Sequence, residues 1–170
     1  VSNAGLTPRA QFRGVLVFLL LLGLFNGAYQ VEKRLSGRLL DLPYTRLAAS
    51  GAAILAHLLL PIPVERRDSI TLASGRTAVV IRGGCNGLEA LFLMAAGILA
   101  YPTSWHCRGR AILIYLPILF ALNLLRIVML LYVMAEHPVY IRIFHDQIAQ
   151  GILVAFVFGF WVHYVHTAQR

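Results

Sequence analysis

The chain has 170 residues, of which 59% are hydrophobic and only 13% charged, and its mean hydropathy is +0.73. A soluble domain of this length cannot hide so much apolar surface, which excludes a water-soluble enzyme or binding module and makes this an integral membrane protein. The net charge of +8 resides mainly in arginines between apolar runs, where cations meet lipid phosphates, so the basic balance points to a bilayer and not to nucleic acid.

In chain order, Ser2 to Ala4 resemble a cloning scar and carry no fold information. Residues 12–30 contain "VLVFLLLLGLF", apolar on every face, and form the first expected transmembrane helix. No small-x-small cleavage site follows before "VEKR", so the segment reads as a retained anchor and not as a cleaved signal peptide. Within residues 43–60 the uncharged run from Leu47 to Leu60 is 14 residues long. As a helix it reaches roughly 21 Å, short of a hydrocarbon core of about 30 Å, so an interfacial or partial helix is expected. Residues 64–84 alternate Ile70 and Leu72 with polar neighbours, turn at Ser74-Gly75 and continue through "TAVVI", the pattern of a small β-hairpin on the membrane surface. Gly83 and Gly84 close it and leave room for another backbone to approach.

Residues 86–101, 111–134 and 146–165 supply the remaining spans, the last flanked by Trp161, His163 and Tyr164 in an interfacial belt. The expected fold class is therefore an all-α membrane protein with about four transmembrane helices, an interfacial helix and a short β-hairpin, all in one membrane domain. Counting positive charges does not distinguish four spans from five. With four, the segment from Glu32 to Gly84 places eight lysines and arginines on the outer side, but it is long enough for the positive-inside rule to weaken. Helix length favours four.

Three polar side chains need a reason to be where they are. Cys85 stands just before a helix whose free amides favour a thiolate, although a buried inert cysteine is a common fate for this residue. Arg126 lies inside a transmembrane run, where a guanidinium costs roughly 2.5 to 3.5 kcal/mol on insertion scales, so it must face protein or water. Asn123 shares its helix face three residues earlier. A structural ion pair between Arg126 and Glu89 is one explanation and a catalytic role is the other. His145, followed by Asp146 and Gln147, opens the last span, where it could shuttle a proton or simply anchor at the interface. His137 in the adjacent loop competes for the same role.

Because consecutive spans alternate direction, Cys85, Arg126 and His145 all project toward one membrane face, whereas Cys107 belongs to the opposite loop and cannot bridge to Cys85. A thiol, a proton shuttle and a cation at one depth are the parts of acyl transfer through a thioester. His137 and His145 lack a third convincing ligand, so no metal site is expected.

At these residues the chain resembles the exosortase/archaeosortase family of membrane-embedded cysteine transpeptidases. "IRGGCNGLEA", then "NLLRIVMLLY", then a histidine before the last span are similar to the exosortase H branch, over about residues 64 to 165. The resemblance implies a Cys85, Arg126, His145 triad; around it, Gly84, Asn86, Glu89 and Asn123 are expected to orient Arg126 or meet substrate, and no cofactor is expected. It implies exported protein partners whose C-terminal signal consists of a short motif, a transmembrane helix and a basic tail, with a Trp-Gly-like motif expected for this branch. Cleavage is expected on the outer, periplasmic face of the cytoplasmic membrane, followed by transfer to a cell-surface acceptor that the sequence does not identify. Many relatives have up to eight spans, so this chain would be close to a minimal catalytic core. Two other classes stay open from the residues alone: a small transporter subunit using Arg126 and Glu89 as a polar pathway, and a non-catalytic scaffold using them for packing.

Overall fold

The computed structural model describes residues 8–36, 39–82 and 85–168. It is mostly helical. The chain runs through α1 (Pro8–Leu35) and α2 (Asp41–Leu59), then β1 (Glu65–Arg66), β2 (Thr71–Ser74) and β3 (Thr77–Val80), then α3 (Leu88–Ala100) and the 32-residue α4 (Trp105–Glu136). A 3-10 turn (Pro138–Tyr140), a single helical turn α5 (Ile141–Ile143) and a π-helical turn (Phe144–Ile148) lead into α6 (Ala149–Ala168).

Among the described residues three helices are long and apolar enough to cross a membrane, within Phe12–Leu35, Trp105–Glu136 and Ala149–Ala168. Helix α3 has 13 residues, about 20 Å of helix, and it is flanked by protein: α1, α4 and α6 all pack on it. Most of α1 faces outward through Phe12, Leu16, Leu20 and Leu24, and its one buried side chain among the described residues is Tyr29. An outward apolar face is what lipid requires of a spanning helix.

Helix α2 carries a seam of small buried residues, Thr45, Ala48, Ala49, Ala52 and Ala56, at helical spacing. The seam lets α2 approach α4 closely: a side chain at Gly51 would meet Leu124 Cδ1 at 2.8 Å. The short sheet closes over these helices. Its strand order is β1-β2-β3, both pairs antiparallel, with Ser74 opposite Thr77. Positive φ at Gly75, and at no non-glycine residue among the described residues, matches a two-residue hairpin of type II′, which wants glycine at its first loop position. The hairpin is thus accompanied by a third strand, too short to be seen in the sequence. All four β2 residues are buried, so the expected inside-outside alternation is absent because both faces of β2 are covered. Leu72, Ile81 and Val64 pack with the α2 alanines and with Ile127, Val128 and Leu131 of α4. In the loop before β2, Asp68 accepts the Ile70 N–H at 2.8 Å; that bond holds its carboxyl below the usual carboxylate range.

A second core joins Met94 and Ile98 of α3, Tyr115 and Leu119 of α4, and Leu153 and Val157 of α6. Helix α4 runs through both cores, and Asn123 lies on it between Leu119 of one and Ile127 of the other. The polar side chains of interest therefore sit between two apolar cores.

Because the α2 seam is already in contact, Ala52→Leu should destabilise the protein by about 1 to 3 kcal/mol through overpacking. Thermal unfolding in detergent micelles checks this, with the exposed Ile54→Leu expected to leave the midpoint unchanged.

Candidate active site

The turn that carries Cys85 is built by local hydrogen bonds. The Arg82 carbonyl accepts from Cys85 N at 2.9 Å and from Asn86 N at 3.1 Å. Gly87 then takes φ +79, a left-handed conformation that suits glycine. A side chain there would also collide with the Asn123 carboxamide, so the turn and α4 meet backbone against side chain. From Gly87 the chain enters α3, with the Asn86 Oδ1 accepting the Leu88 N–H at 3.2 Å. That bond satisfies one of the amides left free at a helix start.

His145 comes from the π-helical turn before α6. Its Nε2 lies 2.9 Å from Cys85 Sγ, joining residues 60 apart in the chain. A thiol and an imidazole in direct contact can share a proton, giving a thiolate beside an imidazolium. π turns recur at functional sites because the extra residue redirects a side chain. His137 caps the end of α4, exposed, with its ring against Tyr132; of the two candidate histidines, it is His145 that meets Cys85.

Arg126 is 7% exposed. Its Nε and Nη1 are buried without a hydrogen-bond partner among the described residues. The nearby ionisable groups that act on it are Cys85 and Glu89. Glu89, in the first turn of α3, is half-buried and makes no hydrogen-bonded pair with Arg126 among the described residues. The guanidinium thus retains N–H donors for another group. Buried donors left unpaired cost free energy, and a carbonyl or oxyanion arriving beside them would relieve that cost.

Asn123 is 1% exposed and donates from Nδ2 to the Asn86 carbonyl at 2.6 Å, while its Oδ1 has no partner among the described residues. Asn86 is fully buried. Its Nδ2 faces Asp41 Oδ1 at 3.2 Å, Thr45 Oγ1 at 3.2 Å and Tyr29 Oη at 3.4 Å. Three of these contacts reach helices α1 and α2, which sequence reasoning treats as an anchor and an interfacial segment. Gly84, expected beside the site together with Gly83, lies outside the described residues.

The remaining features lie elsewhere. Cys107 is a free, exposed thiol in the first turn of α4, its N–H bonded to the Ser104 side chain. It is 16 residues from Asn123 along one helix, about 24 Å. A groove of about 490 Å³ between α1, α3 and α6 is lined by side chains such as Phe18, Met94, Val157 and Trp161 toward the far end of α3 and contains none of the candidate site residues. No group of three or more His, Cys, Asp or Glu among the described residues is arranged to hold a metal ion.

A family model described as transmembrane exosortase matches residues 6–165. The chain belongs to that family. Neither the search of curated proteins nor that of solved structures returned a match.

The Cys85 to His145 contact predicts a pH profile. With Cys107→Ser leaving Cys85 as the sole thiol, alkylation by N-ethylmaleimide should persist below pH 7. His145→Ala should move the midpoint up toward the ordinary cysteine value of about 8.5. The sign follows from charge: an imidazolium beside the sulfur favours the thiolate, and removing it restores the neutral thiol.

Proposed function

From membership of the transmembrane exosortases, which supports a transpeptidase-type role at a membrane, we propose that this chain is a cysteine transpeptidase acting through a Cys85 thioester. Its substrates are exported proteins with a C-terminal sorting signal, and its active site faces the outer side of the cytoplasmic membrane. The observation that carries this reading is the 2.9 Å contact between Cys85 Sγ and His145 Nε2, with the buried Arg126 near enough to act on Cys85 electrostatically.

The Cys85 thiolate attacks the scissile carbonyl, forming a carbon-sulfur bond and placing negative charge on the carbonyl oxygen. Arg126 donates to that oxygen. The tetrahedral intermediate collapses, the carbon-nitrogen bond breaks, and His145 gives its proton to the departing amine. The substrate's upstream part is then held on Cys85 as a thioester. An amine of a surface acceptor, or water, attacks the thioester and loses a proton to His145 as the thiolate leaves.

The sheet has a role in this reading. Strand β3 lies at the sheet edge and runs into the Cys85 turn five residues after Val80. An extended sorting motif added alongside it would be delivered toward the thiol. The transmembrane helix and basic tail of the signal would keep the scissile bond at membrane level, and the resemblance to the H branch suggests a Trp-Gly-like motif.

Co-expression with a sorting-signal protein, followed by mass spectrometry of its C-terminus, tests the proposal. Wild type should release a truncated product or one bearing a new group. Cys85→Ala should reduce processing to background at equal expression, His145→Ala should slow it by about 10²- to 10⁴-fold, and Arg126→Ala by about 10²- to 10³-fold. Processing by Cys85→Ala at the wild-type rate would refute the nucleophile assignment.

A further inference from the structure

We infer that Asn86, Tyr29, Asp41 and Thr45 form a positioning network that sets the Cys85 sulfur against His145, making α1 and α2 part of the site apparatus. The inference rests on the reading of Cys85 as nucleophile given above and adds residues to it.

Every polar group of Asn86 is engaged. Its N–H goes to the Arg82 carbonyl, its carbonyl accepts from Asn123, its Oδ1 accepts from Leu88 N, and its Nδ2 faces three acceptors. A carboxamide has only two N–H donors, and the two nearest acceptors, Asp41 Oδ1 and Thr45 Oγ1, each lie at 3.2 Å. Tyr29 completes the set from α1 by donating its hydroxyl proton to Asp41 Oδ1 at 2.5 Å. Asp41 is itself fixed at the start of α2: the Glu32 carboxylate accepts from Leu39 N at 2.9 Å, Leu40 N at 3.3 Å and Asp41 N at 3.4 Å. Glu32 also belongs to α1, so α1 steers the hub twice.

One peptide bond separates Asn86 from Cys85. With Asn86 held from α1, α2, α3 and α4, the backbone after Cys85 has little freedom, and the sulfur is presented at a fixed place. Tyr29 is the one buried side chain of α1 among the described residues, 1% exposed, and it is spent on this network. If α1 served only as an anchor, this buried side chain would have no call to be polar. A hydrophobic contact would hold the helix without the desolvation cost of a buried tyrosine hydroxyl and carboxamide and a half-buried carboxylate.

The test reads Cys85 chemistry directly in the full-length protein carrying Cys107→Ser, in detergent micelles. N-ethylmaleimide alkylation rates are measured from pH 5 to 10 for this background and for Asn86→Ala, Tyr29→Phe and Thr45→Val within it. Tyr44→Phe is the control, since it removes a buried hydroxyl on α2 that has no hydrogen-bond partner among the described residues. The charged and titratable groups around the sulfur are His145 from the π turn and Arg126 from α4, with Glu89 on α3 acting on Arg126 and Asp41 on α2 behind Asn86. None of them is altered by these substitutions.

Loosening the turn should move the sulfur away from the imidazole, so the midpoint rises by about one pH unit in Asn86→Ala. The rate at pH 6.5 then falls about five- to eightfold while the rate at pH 10 stays within about twofold. Tyr29→Phe and Thr45→Val should move in the same direction by smaller amounts and carry the test if Asn86→Ala does not fold, and Tyr44→Phe should overlay the background. Overlaying profiles for all three network variants would overturn the inference, as would a uniform rise in rate at every pH, which is the signature of a turn that merely opens to reagent. The two claims fail separately. Unmoved profiles refute positioning whatever Cys85→Ala does to processing, and processing by Cys85→Ala refutes the nucleophile whatever the profiles do.

Discussion

The structure turns on one buried carboxamide. In a membrane protein a polar group away from water must find its partners in the chain, and Asn86 finds them on α1, α2 and α4 and at the first amide of α3. Four helices thereby meet at one residue, and the residue beside it is Cys85. The two apolar cores, one around the sheet and α2, the other around α3 and α6, leave this polar layer between them. Packing supplies most of the adhesion. The hydrogen bonds decide the register in which the helices adhere, because each unsatisfied buried group would cost about 1 to 3 kcal/mol.

Chemistry follows from that placement. A thiol before a helix is common and a histidine at an interface is common, yet a sulfur 2.9 Å from an imidazole nitrogen is a specific arrangement. Arg126 adds a cation whose buried Nε and Nη1 donors have no partner among the described residues. Insertion of such a residue is costly. In the proposed reading, the partner that offsets this cost is a substrate group that arrives later. Helix α4 makes this possible: its 32 residues carry Asn123 and Arg126 in the half that packs under the sheet.

Part of this was legible in the sequence. Arg126, Glu89 and Asn123 could be singled out because each interrupts an apolar run, and Cys85 and His145 because each stands at the mouth of one; polar residues at these places in a bilayer protein are few enough to demand a reason. The membrane class and the predominance of helix follow from composition and run length, and the hairpin from Ser74-Gly75 between β-prone runs. Tyr29, Asp41 and Thr45 were not legible. A tyrosine near the end of a span and an aspartate opening a helix have ordinary explanations, and their link to Asn86 spans 41 to 57 residues. Strand β1 has two residues and exists only through its pairing with β2. The burial of β2 on both faces depends on helices from distant parts of the chain, and a π turn has no sequence signature. What local patterns could not reveal, in each instance, is a contact between remote segments.

The most direct test of the account is to trap the acyl-enzyme. A sorting-signal substrate incubated briefly with the full-length protein in membranes, then quenched in acid and digested, should yield a peptide containing Cys85 carrying the substrate's upstream fragment as a hydroxylamine-labile thioester. Substrate cleavage with no adduct on Cys85 at any time, and with cleavage retained by Cys85→Ala, would contradict it.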